Sequence, residues 1–190
     1  MVWRSGNSSD RFITVHRILG VEIDKKIAKE FEKNDDLIIT MIRHKILKFK
    51  TEEYLEFRDL TEEIERFLKE SGIKEGQVLV FSKHTTVAVC INEKEKGIVN
   101  DFKNLLKKIL PKDGYYCHND LKIRTENLVC QSGESDCLNG HSHCTQLMMR
   151  NSEAIPVIDG KMTLGVWQRI FAIELDCCRE REIVVQIMGE

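Results

Sequence analysis

The chain has 190 residues, with 29 Lys and Arg against 31 Asp and Glu, so its formal net charge is −2. This near-neutral balance argues against a nucleic-acid partner, which usually requires a basic excess, and no apolar run reaches the about 20 residues that a membrane span needs. The cysteine count of seven is odd and the N-terminus lacks an apolar signal core, so we expect a cytoplasmic protein with reduced thiols.

The first 38 residues differ in pattern from the rest of the sequence. Residues 5–10 are small and polar without periodicity, which indicates a mobile segment. Apolar residues at helical spacing predict a short helix over 23–31. We therefore divide the chain into an N-terminal extension, residues 1–38, and a domain, residues 39–190.

In the domain, strands follow one another in pairs rather than alternating strictly with helices. Apolar positions three and four apart predict helices at 61–68, ended by Ser71-Gly72, at 97–110 and at 139–149. Alternating or β-branched residues and an Asp159-Gly160 turn predict strands at 37–42, 45–50, 54–58, 77–82, 87–92, 170–176 and 181–188 and a hairpin at 155–164. This order predicts an α+β fold with a largely antiparallel sheet.

The residue types that carry chemistry concentrate in four short segments. These are His84-Thr85-Thr86, Cys117-His118-Asn119-Asp120, Asn139-Gly140-His141-Ser142-His143-Cys144 and Trp167-Gln168-Arg169. Four of the six histidines fall within them. Imidazole is suited both to proton transfer near neutral pH and to metal ligation. If the segments converge, they form a polar site that could do chemistry.

His141 and His143 lie two residues apart at the start of a predicted helix, so one ring faces inward and the other outward. With Asn139 as the N-cap residue, His143 lies near the exposed N–H groups and the positive end of the helix dipole, where phosphate binds. Two solvated histidines in a surface loop are the alternative, since a short motif of this kind often occurs without function.

His84, His118 and His143 together supply three imidazoles, the number that a catalytic zinc with one open position uses. Asp120, two residues after His118, could orient that ring as an outer carboxylate or could simply belong to a turn. A lone histidine at a strand end, such as His84, is more often a structural residue. The cysteines form no CxxC pair, so we assign them to packing.

Two further segments have both a structural and a functional interpretation. Asn92-Glu93 either caps the following helix or forms a polar pair that faces a cleft. Trp167 is either a core residue or part of the site. Arg169 is either a surface cation or the group that grips an anionic substrate through its planar guanidinium.

In this order, the segments resemble the YjbQ family over about residues 39–190. The marks of the resemblance are His84-Thr85-Thr86 with Asn92-Glu93, Tyr116 to Asp120, Asn139 to His143, the Asp159-Gly160 hairpin, Leu164 to Arg169 and Val184 to Gly189. Two positions depart from the usual family pattern. Val166 replaces a threonine, and Asn119 follows His118 where the family has aspartate.

The resemblance implies a mostly antiparallel β-sheet sandwich with a few helices, forming a homotrimer with a histidine-rich site near a subunit boundary. It implies His84, His118 and His143 as the site histidines. The expected roles are catalysis for His84, His118, Glu93 and Asp120, substrate binding for Thr85, Asn92, Trp167, Gln168 and Arg169, and metal ligation for His84, His118 and His143.

Members of this family are associated with a secondary thiamin phosphate synthase activity. The resemblance therefore implies a transferase that joins a pyrimidine pyrophosphate to a thiazole phosphate, as a main or a secondary activity, with a divalent metal (Zn or Mg) as a candidate cofactor. Two alternatives stay open: a zinc-dependent hydrolase using the three histidines, and a non-enzymatic trimeric module that binds a metal or ligand. The expected partner is a small phosphorylated substrate.

Overall fold

The computed structural model describes residues 2–4, 12–14, 40–128 and 138–190. The segment 5–10 and the predicted helix at 23–31 lie outside the described residues, as does the beginning of the predicted strand at 37–42. Within the described ranges, no helix combines the length and the apolarity required to cross a membrane.

Ten strands, three α-helices and one 3₁₀ helix are present in the described ranges. The strands are β1 (Val2–Arg4), β2 (Phe12–Thr14), β3 (Met41–Lys50), β4 (Phe57–Asp59), β5 (Gly76–Ser82), β6 (Val87–Glu93), β7 (Ser152–Ile158), β8 (Lys161–Met162), β9 (Gln168–Glu174) and β10 (Glu180–Gly189). The helices are α1 (Thr61–Ser71), α2 (Lys96–Ile109), the 3₁₀ helix Cys117–Asn119 and α3 (Gly140–Met148).

The strands pair in three antiparallel sheets. The largest has the order β3-β10-β5-β7-β8, the second has the order β4-β9-β6, and β1 pairs with β2. This arrangement confirms the predicted α+β fold with antiparallel sheets. The domain is held together mainly by β10, which is hydrogen-bonded to β3 on one side and β5 on the other.

Two apolar clusters lie on opposite faces of the three-stranded sheet. The larger joins the five-stranded sheet, α1 and one face of β6 and β9, with Ile183, Val80 and Ile170 fully buried. The smaller lies against the opposite face, where Ala88 and Ile173 meet α2 and its neighbours. Adjacent residues of a strand point to opposite faces of the sheet. Because β6 and β9 contribute residues to both clusters, both faces of these strands are apolar.

Local signals explain most element ends. Gly72 ends α1 with a φ of 75°, in the left-handed region that favours glycine. Asp159 and Gly160 have φ values of 51° and 73°, which confirms the predicted hairpin turn. Glu95 caps α2, because its side chain accepts hydrogen bonds from the first N–H groups of that helix; the predicted capping role of Asn92-Glu93 is therefore wrong.

Two predicted strand boundaries are also wrong. The predicted strand at 54–58 is only Phe57–Asp59, because Leu55 has a φ of 59°, which an extended strand does not allow. The described part of the two predicted strands at 37–42 and 45–50 is a single continuous strand, Met41–Lys50. Pairing with the ten-residue β10 along its whole length accounts for this continuity.

Candidate functional site

Two of the three predicted site histidines meet at one place. The 3₁₀ helix Cys117–Asn119 carries His118, and the first turn of α3 carries His143. Their ring centroids lie 4.6 Å apart, with the rings tilted by 52°. Both side chains are half-buried. His118 and His143 are 25 positions apart in the sequence (143 − 118). The fold therefore brings two distant segments together to form an imidazole pair.

The start of α3 is held by Asn119 rather than by Asn139. Asn139 occupies the N-cap position, but its side chain makes no capping hydrogen bond, so the predicted capping role is wrong. Instead, the backbone N–H of Gly140 donates to Asn119 Oδ1 at 2.8 Å. Because Asn119 is the neighbour of His118, this bond ties the His118 segment to the helix that carries His143.

The side chain of Asn139 lies between His118 and a buried carboxylate. Its Oδ1 atom lies 3.2 Å from His118 Nε2, and its Nδ2 donates to Asp176 Oδ2 at 2.9 Å. Asp176 follows strand β9 closely and also forms an ion pair with Arg179 at 2.9 Å. Asn139 thus links the imidazole pair to the end of β9.

Electrostatics favour a neutral His143. Burial lowers the pKa of the His143 ring, and the neighbouring His118 and Arg124 lower it further, whereas Asp176 raises it. Arg124 is held beside the pair by hydrogen bonds from its guanidinium to the backbone oxygens of His118, at 3.2 Å, and Asn127, at 2.9 Å. A neutral imidazole both donates and accepts a hydrogen bond, so His143 can serve either role.

His141 is a packed residue rather than a site residue. It is fully buried, and its ring meets the edge of Tyr54 at a centroid distance of 5.5 Å. Burial lowers its pKa. Among the described residues its Nδ1 atom has no hydrogen-bond partner, while Nε2 lies 3.2 Å from Ser142 Oγ. His141 is therefore the inward-facing ring of the predicted arrangement, whereas His143 is half-buried rather than fully outward.

His84 lies in a different environment from the pair. Its Nε2 atom accepts the backbone N–H of Glu182 at 2.9 Å. Burial lowers its pKa, and the nearby Arg181 guanidinium lowers it further. The neighbouring Thr85 is exposed, whereas Thr86 is buried and accepts from Arg181 at 3.3 Å. His84 is therefore part of the structure around Arg181.

Among the residues that the structure describes, the three-ligand metal site predicted from the sequence is not found. In residues 40–128 and 138–190, no group of three or more His, Cys, Asp or Glu side chains is arranged to hold a metal ion. The predicted ligands divide instead into the His118–His143 pair and the separate His84. The described residues of one chain therefore do not fit a zinc ion with three ligands.

Asp120 is a turn residue. Its Oδ1 accepts the backbone N–H of Lys122 at 3.0 Å, and its Oδ2 accepts from the Tyr115 hydroxyl at 3.2 Å. Of the two roles predicted for Asp120, the structure shows the turn and not the orientation of His118, because the carboxylate connected to that ring is Asp176, through Asn139.

The predicted substrate-binding residues 92 and 167–169 lie where β6 pairs with β9. Asn92 pairs with Arg169, and Glu93 with Gln168. Arg169 lies 2.8 Å from Asp59 and 3.1 Å from Glu62, so two carboxylates already match its charge. The predicted grip on an anionic substrate is therefore not supported by its surroundings.

The exposed side of this strand end borders a partly open cavity. Trp167 is 71% exposed, so its predicted alternative role in the core is wrong. Glu93 and Asn92 line one side of a cavity of about 390 Å³. The other lining residues are mostly apolar and include Phe57, Cys90, Phe102 and Met149. Neither His118 nor His143 lines this cavity.

Sequence reasoning missed three residues beside the imidazole pair. The side chain of Asn139 was assigned to a helix cap, and neither Asp176 nor Arg124 was selected. A signal existed for two of them. Asp176 is a carboxylate just after a strongly apolar strand, and Arg124 is the one arginine in the irregular stretch 115–136.

The fold and site define an α+β protein with a half-buried imidazole pair at a helix start. The family model described as "UPF0047 protein YjbQ-like" matches residues 45–190. The chain therefore belongs to the YjbQ-like UPF0047 family, as the resemblance predicted. The structure and the solved relatives below also confirm the predicted YjbQ-like fold.

Individual relatives agree with this assignment. A UPF0047 protein of Methanothermobacter thermautotrophicus is 35% identical over 76% of this chain and 90% of its own length. The protein YugU of Bacillus subtilis is 30% identical over 76% of this chain and 98% of its own. A solved YbjQ-like protein of Sulfolobus solfataricus matches with a TM-score of 0.69 and 30% identity, covering 80% of this chain and 99% of that one.

Proposed function

We propose that the chain is a transferase of the thiamin phosphate synthase type, and that the His118–His143 pair contacts its phosphorylated substrate. In this reaction the carbon–oxygen bond between the pyrimidine's methylene carbon and pyrophosphate breaks, and its electron pair leaves on the pyrophosphate oxygen. The thiazole nitrogen supplies the electron pair of the new carbon–nitrogen bond. The products are thiamin phosphate and pyrophosphate.

The observation that carries the proposal is the half-buried imidazole pair with a guanidinium beside it. The departing pyrophosphate gains negative charge, and fixed donors in a partly water-excluded place stabilise such charge best. Hydrogen bonds from its guanidinium to backbone oxygens orient Arg124 beside the pair. Arg169 is not assigned to this role, because Asp59 and Glu62 match its charge.

His143 would donate a hydrogen bond to a phosphate oxygen of the substrate. Burial favours its neutral form, which has one N–H group and one lone pair. The ring centroids of His118 and His143 lie 4.6 Å apart. His118 would therefore be close enough to contact the same substrate molecule. No step is assigned to a metal ion, because the side chains in residues 40–128 and 138–190 include no group of three or more ligands arranged to hold one.

The test is a turnover assay with both substrates, in which thiamin phosphate and pyrophosphate are measured separately. We expect His118→Ala and His143→Ala to lower the rate by about 100-fold or more, the usual range for groups that assist directly in the transition state. His44→Ala is the matched control, because His44 is an exposed histidine on β3; it should retain the full rate.

Each other outcome of this assay has a distinct meaning. Absence of thiamin phosphate above the level without protein would reject the synthase. Pyrophosphate or phosphate released from the pyrimidine substrate without the thiazole would favour a hydrolase. Tight binding without any turnover would favour the ligand-binding module. An equal rate in His44→Ala and His118→Ala would reject the role of the pair.

Three further expectations belong to the same proposal and have their own measurements. A homotrimer would give three times the chain mass in sedimentation equilibrium, and a monomer would reject it. A resident divalent metal would be detected by elemental analysis of the purified protein. Cytoplasmic location would be checked by cell fractionation.

A further inference from the structure

We propose that Asn139 and Asp176 are positioning residues that hold His118 as its Nε2–H tautomer, so that Nδ1 is the ring nitrogen offered to the substrate. This inference rests on the function proposed for the His118–His143 pair, and it specifies which atom of His118 that function uses. The argument begins at Asp176 and proceeds one hydrogen bond at a time.

Asp176 sets the direction of the chain of hydrogen bonds. A carboxylate only accepts hydrogen bonds, so the Asn139 atom 2.9 Å from Asp176 Oδ2 must be the amide Nδ2. Asp176 is itself held in place, because its backbone N–H donates to Glu174 Oε1 at 2.9 Å and Arg179 pairs with its side chain at 2.9 Å. The orientation of the Asn139 amide follows from this contact.

The Asn139 amide then determines the proton position on His118. With Nδ2 directed at Asp176, the atom that faces the ring is Oδ1, 3.2 Å from His118 Nε2. A carbonyl oxygen only accepts, so Nε2 must carry the hydrogen. In a neutral imidazole the other nitrogen, Nδ1, then has the lone pair.

Burial strengthens this arrangement. Asn139 is 6% exposed and Asp176 is 8% exposed, so little water competes for their polar atoms. Hydrogen bonds in such surroundings are stronger, and an unpaired polar group there is costly. The side chain that contacts the His118 ring is the neutral amide of Asn139. The charged carboxylate of Asp176 contacts Asn139 and not the ring itself.

The consequence is a division of roles between the two histidines. A lone pair on His118 Nδ1 accepts from an N–H or O–H group and repels an ionised phosphate oxygen. The phosphate is therefore left to His143 and Arg124, whereas His118 meets a hydrogen-bond donor on the substrate, such as a ring amino group or a hydroxyl. The site would thus favour a substrate that carries both groups over a simple phosphate ester.

The experiment is to measure the nitrogen chemical shifts of His118 in the ¹⁵N-labelled full chain without substrate, at about pH 8, where histidine is ordinarily neutral. We expect wild-type His118 to be protonated on Nε2. Asp176→Ala should lower the Nε2–H fraction at least about twofold, because the freed Asn139 amide can turn its NH₂ group toward the ring. His118 protonated on Nδ1 in the wild-type protein would overturn the proposal.

Asp120→Ala is the matched control for this spectrum, because it removes a carboxylate close to His118 in sequence that does not bond Asn139. Its His118 shifts should equal those of the wild type, and a change as large as that of Asp176→Ala would overturn the proposal. If Asp176→Ala does not fold, Asp176→Leu is close to aspartate in shape but has no acceptor for Asn139 Nδ2, and it should also lower the Nε2–H fraction. An unchanged tautomer in the folded variant would overturn the proposal.

Because these spectra are recorded without substrate, they stand even if the synthase assay fails. If the synthase is active, Asp176→Ala should lower kcat by about tenfold, since it removes orientation of a group rather than the group itself. Failure of the assay with the expected tautomer would reject the proposed reaction alone. The unexpected tautomer in an active enzyme would reject the positioning role alone.

Discussion

Arg181 and Glu174 form an ion pair inside the protein, with Arg181 Nη2 2.5 Å from Glu174 Oε1 and side-chain exposures of 5% and 0%. Thr51 Oγ1 also donates to this carboxylate at 2.9 Å. The pair is linked to both His84 and Asp176. Its arginine lowers the pKa of His84, together with burial as the larger cause, and its glutamate accepts the backbone N–H of Asp176.

Removal of one charge from this pair should destabilise the protein strongly. Glu174→Gln leaves the buried Arg181 guanidinium without its counter-charge, and breaking a buried pair in this way costs about 3–5 kcal/mol. The free energy of unfolding in urea measures the loss. Glu182→Gln is the control, because Glu182 pairs with Lys48 and Lys83 at the surface. It should cost much less than Glu174→Gln, because exposed ion pairs contribute little, and equal losses would contradict the prediction.

Asp59 should make stability depend on pH in acid. Burial opposes its ionised form, but hydrogen bonds from Thr61, Arg169 and Lys94 more than offset this and lower its pKa from 3.8 to about 2. The unfolded chain therefore binds more protons than the folded one between these values. The stabilisation is complete above about pH 4 and is lost as the pH falls through about 2.

The comparison is between wild type and Asp59→Asn, by urea unfolding at about pH 5.5 and about pH 2.5. The wild type should lose about 1 kcal/mol more than the variant between the two conditions, a figure reduced for partial solvent screening. Asp101→Asn, at an exposed position of α2, should behave as the wild type. Equal losses in wild type and Asp59→Asn would refute the assignment.

Cys90 should be the least reactive thiol of the described residues. Burial, and to a lesser extent Glu153, raises its pKa to about 12, and the thiolate is the reactive form. At about pH 8 we expect its alkylation to be about 1,000-fold slower than that of an ordinary exposed thiol. Mass spectrometry of iodoacetamide-labelled peptides measures this, with exposed Cys117, Cys177 and Cys178 as internal controls.

The same peptide should label at the rate of the controls once the protein is unfolded in urea. Rapid labelling of Cys90 in the folded protein would show that the thiol is accessible and ionised, against the structure.

Gly140→Ala should disturb the imidazole pair from a distance. A Cβ at this position would lie 2.6 Å from Tyr116 Cβ, closer than real contacts allow, and 3.1 Å from Asn119 Oδ1. The 3₁₀ helix that carries His118 would have to move away from α3. We expect a loss of about 1–3 kcal/mol in stability and a changed His118 spectrum.

Gly165→Ala provides the comparison, because the nearest atom to its added Cβ is at 3.4 Å, an ordinary contact. That variant should keep the stability and the His118 spectrum of the wild type. The same spectrum in Gly140→Ala and the wild type would mean that Tyr116 can shift without moving His118.

Sequence patterns predict those parts of the fold that depend on neighbouring residues. The Asp159-Gly160 turn and the end of α1 at Gly72 were predictable because both need residues that tolerate a positive φ. The α+β character followed from strands in succession. The boundaries near Leu55 were wrong because its positive φ is imposed by contacts across the domain rather than by its own residue type.

The candidate site was less predictable because its partners are distant in sequence. Local preference makes Asn139 a helix cap, but Asn119, 20 positions earlier (139 − 119), supplies the capping oxygen. Arg169 resembles an anion-binding residue until its contact with Asp59, 110 positions away, is known. Only the fold shows which side chains each carboxylate contacts. Here it links Asp176 to His118 through the side chain of Asn139.

The hydrogen bond from the Gly140 N–H to Asn119 Oδ1 couples the formation of α3 to the assembly of the His118–His143 pair. The first turn of α3 loses its cap whenever the His118 segment moves away, so fraying of that turn and separation of the two imidazoles are one event. The amide of Gly140 should therefore exchange with solvent in proportion to the fraction of molecules in which the pair is open. A single backbone hydrogen thus reports how often the candidate site exists in its assembled form.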